Sequence, residues 1–175
     1  MKQATRLTVP VGQRDHVRGP ATAAVTLVEY GDFECPHCGE AHGIVQELEQ
    51  ILGEQLRFVF RHFPLATAHI HAQDAAEAAE AAGAQGKSWE MHDLLFANQD
   101  ALKIDDLAQY AADLDLDVEQ FLSELEEHVH AGRVRQDFLS GARSGVNGTP
   151  TFFINGLRHD GSYQLESLLA AIENE

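Results

Sequence analysis

Two cysteines at the junction of a predicted strand and a predicted helix constrain this chain more than any other feature. The run is Cys35-Pro36-His37-Cys38. Residues 25–30 are β-branched and apolar, which predicts a buried strand. Apolar residues recur at spacings of three and four over residues 41–52, which predicts one buried face of a helix. Pro36 suits the first turn of that helix, where a missing N–H costs nothing.

The order of the predicted elements indicates a single α/β unit with helices inserted into it. A second strand at residues 56–61 completes a strand–helix–strand unit, whose two strands should be parallel. The next stretch is rich in Ala, Glu and Leu. It predicts helices near residues 69–83, 87–97, 104–113, 117–127 and 130–144.

The C-terminal part predicts a hairpin and a closing helix. A strand at residues 151–154 is followed by Asn155-Gly156, a two-residue hairpin signal because both residues tolerate positive φ. A short return strand is expected at residues 157–159. An edge strand is also expected at residues 5–11. The predicted division is an arm at 1–20, a first half at 21–66, a helical insertion at 67–145 and a second half at 146–175.

The position of the cysteine pair suits thiol chemistry. Cysteine reacts as thiolate, and a helix N-terminus stabilises an anion through unpaired N–H groups and partial positive charge. Cys35 is therefore predicted to be the attacking thiol and Cys38 the resolving thiol. His37 can donate a hydrogen bond to sulfur or add positive charge. Asp32 and Glu34 should act in the opposite direction, because nearby negative charge raises the pKa of a thiol.

A second motif precedes the third predicted strand, at Gly148-Thr149-Pro150-Thr151. Proline cannot donate to a strand ladder, so Pro150 belongs at a strand start or a turn. If the Thr149–Pro150 bond is cis, the loop could lie beside the dithiol and present its backbone to a substrate peptide.

Charge and hydropathy exclude some classes of partner. The chain has 28 acidic and 12 basic residues and a formal net charge of −16. This argues against binding to nucleic acid and to an anionic membrane surface. No apolar stretch of about 20 residues is present, so no membrane span is expected. The N-terminal residues do not resemble a secretory signal, which predicts a cytoplasmic protein, or an extracytoplasmic one if a leader has been removed.

Together the two motifs resemble those of the DsbA-like thioredoxin-fold oxidoreductases. Residues 29–38 read EYGDFECPHC, and residues 148–152 read GTPTF. The resemblance covers about residues 20–175. It implies a thioredoxin fold with an inserted all-helical subdomain, and an enzyme that exchanges disulfides with proteins.

The resemblance also implies a role for each matching residue. Cys35 resembles the exposed nucleophile and Cys38 its buried partner, with Pro36 and His37 as the dipeptide that sets the redox potential. Pro150 resembles the cis-proline opposite the disulfide, and Thr149 the residue before it that helps substrate docking. Glu29 resembles a buried acid that assists proton transfer at Cys38. Some relatives pair that acid with a Lys on the second strand, where this chain offers Arg57 and Arg61.

Two other functions are left open by the residues. One is a glutathione-dependent transferase or isomerase on a related scaffold, although a lone Ser or Cys would suffice there. The other is a non-enzymatic module that binds peptides or a metal. A structural zinc site needs four ligands, and the spacing of His69 from His71 and of His128 from His130 puts each pair on different helix faces. No metal or cofactor is therefore predicted. The expected partners are protein thiols or disulfides, or glutathione, together with an unidentified redox partner.

Overall fold

A mixed five-stranded sheet forms the centre of the molecule in the computed structural model, which describes residues 3–175. Residues 1 and 2 of the predicted arm lie outside the described residues. The strands are β1 His16–Arg18, β2 Val25–Gly31, β3 Leu56–His62, β4 Thr151–Ile154 and β5 Leu157–His159. Their order in the sheet is β1-β3-β2-β4-β5. Strands β2 and β3 are parallel, and the other neighbours are antiparallel.

The helices lie between and after the strands, as the sequence predicted. They are α1 Pro36–Leu52, α2 Ala72–Ala84, α3 Ser88–Ala97, α4 Ile104–Asp113, α5 Val118–Glu126, α6 Ala131–Arg143 and α7 Leu165–Glu173. Helix α1 connects β2 to β3, helices α2 to α6 lie between β3 and β4, and α7 follows β5. This order confirms the predicted α/β thioredoxin fold with inserted helices. Of the helices in residues 3–175, none combines the length and the apolar character needed to cross a membrane.

The sheet buries both of its faces, because successive side chains of a strand point to opposite sides. Leu27 on β2 packs into the larger core with α1 and the inserted helices. Val28 and Tyr30 point the other way, into a smaller core with Val59 and Phe153. By the same alternation, Glu29 shares the face of Leu27, towards α1. The sheet therefore carries a carboxyl group into a largely apolar layer.

The N-terminal arm corrects one prediction. Residues 5–11 do not form an edge strand, and only an isolated bridge joins Arg6 to Leu157. Pro10 has no N–H to give a ladder, and the N–H of Thr8 donates to the Ser144 hydroxyl at 3.0 Å. The strand of this region is β1, which pairs with β3. This strand, with the sequence His-Val-Arg, is too short and too polar to give a recognisable strand pattern.

The predicted hairpin is confirmed. Asn155 and Gly156 have φ values of 48° and 83°, which is the geometry of a two-residue turn with positive φ at both positions. The turn returns β5 along β4 and so fixes β4 against β2. That pairing brings the residues before β4 to the end of β2 where the cysteines follow.

Candidate active site

The cysteine pair lies at the start of α1. Cys35 is the N-cap residue in an extended conformation, and Pro36 occupies the first turn. A tight turn links β2 to the helix, closed by the bond from the Cys35 N–H to the Asp32 carbonyl oxygen at 3.1 Å. The strand, the turn and the helix therefore place Cys35 at the end of the helix where backbone N–H groups lack partners.

Cys35 is covered more than expected. The prediction of an exposed nucleophile is wrong for this form of the protein, since Cys35 is 4% exposed and Cys38 is 0% exposed. The cause is the loop before β4, whose Thr149 carbonyl oxygen lies 3.7 Å from the Cys35 sulfur. Pro36 and His37, in contrast, are exposed. Cys35 is thus the more accessible of two covered thiols, and both cysteines are free.

The surroundings shift the pKa values of the two thiols in opposite directions. Hydrogen bonds lower the pKa of Cys35 to about 5, first from the Cys38 thiol and then from the Thr149 hydroxyl and the N–H groups of Cys38 and His37, against an opposing effect of burial. The pKa of Cys38 is raised, first by burial and then by Cys35 and the charge of Glu29. One sulfur is therefore set to be a thiolate and the other to hold its proton.

Glu29 is buried beneath the cysteines. The residue is 1% exposed, and its Oε1 has no hydrogen-bond partner among the described residues. Burial raises the pKa of Glu29 to about 8, and the charge of Cys35 adds to the rise. Neither arginine of β3 is bonded to this acid, because Arg57 donates to the Thr26 hydroxyl at 3.0 Å and Arg61 pairs with Asp15 at 2.8 Å.

The proline loop lies against the dithiol. The Thr149–Pro150 bond is cis. Pairing of Tyr30 on β2 with Thr151 on β4 holds this loop beside the end of β2. The Thr149 hydroxyl oxygen is buried and makes no close hydrogen bond among residues 3–175, and its interaction with Cys35 contributes to the lowered pKa of that thiol.

The two acidic residues of the turn, Asp32 and Glu34, accept hydrogen bonds from the connection between β3 and α2. Asp32 accepts the N–H groups of Glu34 at 2.8 Å and Leu65 at 2.9 Å. It also faces the Nδ1 atom of His69 at 2.8 Å. Glu34 accepts the N–H of His71 at 2.6 Å. The expected rise in the pKa of Cys35 does not result: hydrogen bonds to the sulfur lower the pKa to about 5 against the opposing effect of burial.

Three residues of the site were missed by sequence reasoning. Gln99, between α3 and α4, donates to the carbonyl oxygens of Phe33 at 2.9 Å and Cys35 at 2.8 Å. The Tyr163 hydroxyl lies 3.3 Å from Nδ1 of His37 and donates to Glu40 at 3.1 Å. The third is His69. All three are distant in sequence from the residues they contact, and no local pattern distinguishes them.

Groups of potential metal ligands occur elsewhere and do not involve the cysteines. Within residues 3–175 they are His42 with His92 and Asp93, and His62 with Glu80 and Asp137. An arginine contacts a carboxylate of each group at 3.3 Å, Arg18 at Asp93 and Arg133 at Glu80. These guanidinium groups already supply the positive charge that a metal ion would bring.

Comparison with known proteins agrees with this geometry. A family described as thioredoxin matches residues 12–174. The oxidised form of BdbD from Bacillus subtilis superimposes with a TM-score of 0.85 at 21% identity, covering 98% of this chain and 96% of that one. A thioredoxin-like oxidoreductase from Silicibacter pomeroyi gives a TM-score of 0.82 at 28% identity, covering 93% and 92%.

Curated relatives at higher identity are longer proteins. The chain is 54% identical over 167 residues to Na(+)/H(+) antiporter NhaA 3 of Salinispora tropica, and 47% identical over 165 residues to Na(+)/H(+) antiporter NhaA 1 of a Mycobacterium species. These matches cover 95% and 92% of this chain, but it spans only 26% and 27% of the length of the relatives.

Proposed function

Because this chain belongs to the thioredoxin family and has the fold of its DsbA-like members, we propose that it exchanges a Cys35–Cys38 disulfide with the thiols of other proteins. One observation carries the proposal. Two cysteines on one helical turn have oppositely shifted pKa values, with Cys35 lowered to about 5 and Cys38 raised. In such a pair, Cys35 serves as the attacking and leaving sulfur, and Cys38 resolves the mixed disulfide.

The exchange proceeds through a mixed disulfide at Cys35. A substrate thiolate attacks the Cys35 sulfur and forms the mixed disulfide, while the Cys35–Cys38 bond breaks and Cys38 takes the electron pair. A second substrate thiolate then attacks the first substrate sulfur, and Cys35 leaves as a thiolate. Two electrons pass from the substrate dithiol to the cysteine pair. The lowered pKa of Cys35 makes it a good leaving group in this second step.

Glu29 is proposed to transfer a proton to and from Cys38. Cys38 becomes a thiolate when the disulfide opens and must be protonated, since its pKa is raised. Glu29 has a pKa raised to about 8, so at neutral pH it is mostly protonated and can give that proton. In the reverse direction the carboxylate accepts it as Cys38 attacks.

Thr149 and Pro150 are proposed to bind the substrate backbone beside Cys35, with Pro36 and His37 as the exposed rim. The loop lies over the sulfur at which the mixed disulfide forms. The proposed partners are protein thiols or disulfides, or glutathione, and a second redox partner that restores the starting state. The direction of net electron flow follows from the potential of the pair relative to its compartment.

Redox titration combined with single cysteine variants tests the proposal. Equilibration with glutathione buffers should give a reversible two-electron transition between dithiol and disulfide. Cys38→Ser should accumulate mixed disulfides with protein substrates, whereas Cys35→Ser should accumulate none. Retained turnover with glutathione in Cys38→Ser would favour the transferase alternative. Failure to form an intramolecular disulfide would overturn the proposal.

A further inference from the structure

A buried carboxylate beside the active-site turn holds a histidine from another part of the chain. The Asp32 side chain is fully buried. The N–H groups of Glu34 and Leu65 fix its orientation at 2.8 and 2.9 Å. The remaining contact is with Nδ1 of His69 at 2.8 Å. His69 lies in the connection between β3 and α2, and its side chain is 22% exposed.

This pair is attached to the turn that carries Cys35. The Asp32 carbonyl oxygen accepts the N–H of Cys35 at 3.1 Å, so the residue that orients His69 also closes the turn that carries Cys35. The connection is held at a second point, where Glu34 accepts the N–H of His71 at 2.6 Å. Asp32 and Glu34, which both lie in the turn before Cys35, therefore hold the segment that carries the His69 imidazole.

The charged groups around His69 favour its protonated form. The hydrogen bond to Asp32 is the first cause of the raised pKa of His69, partial burial opposes it, and the charges of Asp32, Cys35 and Glu34 add to it. Coupling between two ionisable groups is reciprocal: if the Cys35 thiolate favours the imidazolium, the imidazolium favours the thiolate to the same extent.

We propose that the Asp32–His69 pair is a positioning element of the dithiol site that keeps an imidazolium beside Cys35 and stabilises Cys35 as the leaving thiolate. The proposal rests on the proposed disulfide exchange and adds a source of positive charge outside the Cys35–Cys38 segment. In the step concerned, the second substrate thiolate forms the product disulfide, the bond between substrate and Cys35 breaks, and Cys35 takes the electron pair. No proton leaves His69 in this step.

A purely structural role makes a different prediction. If His69 only ties the connection to Asp32, then His69→Gln, which keeps a hydrogen-bond donor, should leave the chemistry of Cys35 unchanged. If the charge matters, His69→Gln should alter it and His69→Lys should restore it. His71→Gln is the matched control, because Glu34 contacts the backbone N–H of His71.

The first measurement is the pKa of Cys35 in these variants, from the pH dependence of its alkylation rate. For His69→Gln we expect a rise of roughly half to one unit, with wild-type values in His69→Lys and His71→Gln. The potential against glutathione should fall in His69→Gln, by up to about 30 mV for a tenfold change in the equilibrium. Unchanged values in His69→Gln, or an equal shift in His71→Gln, would overturn the proposal.

A second measurement needs no substitution. The ring resonances of His69 should titrate at higher pH in the reduced protein than in the disulfide form, which has no Cys35 thiolate. Equal titration of His69 in the two forms would contradict the coupling. The proposed exchange fails if no reversible dithiol couple exists, whereas this inference fails if the couple exists and is insensitive to the charge of His69.

Discussion

Gly39 faces the side-chain amide of Gln99 so closely that a methyl group on its α-carbon would overlap the amide. Gly39 lies in the first turns of α1, one residue after Cys38. Gln99 comes from the connection between α3 and α4 of the insertion and donates to the carbonyl oxygens of Phe33 and Cys35. The absence of a side chain at position 39 therefore lets the insertion reach the backbone of the active-site turn.

This contact predicts that the effect of Gly39→Ala depends on Gln99. Alanine is favoured over glycine in a helix by about 1 kcal/mol, but here it would displace the amide and break its two hydrogen bonds, each worth roughly 1 kcal/mol. Gly39→Ala should be neutral to destabilising in the wild type and stabilising in a Gln99→Ala background. Urea unfolding of the four proteins in a double-mutant cycle measures this coupling. Additive effects would contradict it.

The reactivity of Cys35 should follow its lowered pKa. Brief alkylation of the reduced protein should modify Cys35 at a nearly constant rate above neutrality and lose rate as pH falls through about 5, the pKa of this thiol. Cys38 should stay unmodified because its pKa is raised. Cys35→Ser provides the control for reaction at Cys38. A rate that still rises steeply above pH 7 would show that the thiol is not activated.

The same shift predicts how the stability of the reduced protein depends on pH. The folded pKa of Cys35, about 5, is below its ordinary value of 9.0. The stabilisation of the folded protein by the Cys35 thiolate is therefore fully present above the ordinary pKa and is lost as pH falls through the folded pKa. The difference in unfolding free energy between reduced wild type and Cys35→Ser should fall by at most about 1.4 kcal/mol per unit within this window. Denaturant unfolding at several pH values gives the slope. A difference that is independent of pH would be incompatible with the shift.

Glu29→Gln should stabilise the protein and slow disulfide exchange. The pKa of Glu29 is raised from 4.5 to about 8, so neutral Glu29 is favoured at low pH and stability declines as pH rises through this range. Relative to Glu29→Gln, the unfolding free energy of the wild type should fall by up to about 1.4 kcal/mol per pH unit between these two pKa values, a few kcal/mol in all. Unfolding of the disulfide forms at pH 4 and pH 8, together with exchange rates, tests both effects. A wild type at least as stable as Glu29→Gln at pH 8 would contradict the burial argument.

The ion pair between Arg61 and Asp15 should stabilise the fold without affecting the active site. The two side chains are 2% and 7% exposed and lie 2.8 Å apart. Removal of one buried partner leaves an uncompensated charge, so Asp15→Ala should cost about 3–5 kcal/mol. Asp160→Ala is the control, because Asp160 is 78% exposed in its pair with Arg158 and such pairs contribute little. Thermal unfolding measures the difference, and the glutathione equilibrium of the dithiol should be unchanged in both variants.

Much of the fold could be predicted from local patterns. The apolar faces of α1 and α7, the strand at β2 and the Asn155-Gly156 turn depend on side-chain periodicity and on the φ preferences of single residues, which are encoded within a few positions. The edge strand expected at residues 5–11 was wrong for the converse reason. Pairing at an edge depends on what lies opposite, and here Thr8 bonds to Ser144 instead of a neighbouring strand.

By itself the sequence determined that two cysteines stand at the start of a helix that follows a strand, because strand and helix signals and the proline are local. Only the tertiary structure decided what surrounds the sulfurs. The cover of Cys35 by Thr149, the isolation of Glu29 from the arginines of β3, and the contacts of Gln99 and His69 all join residues far apart in the chain. The pKa of a thiol depends on burial and on charges in space, and folding alone brings those groups together.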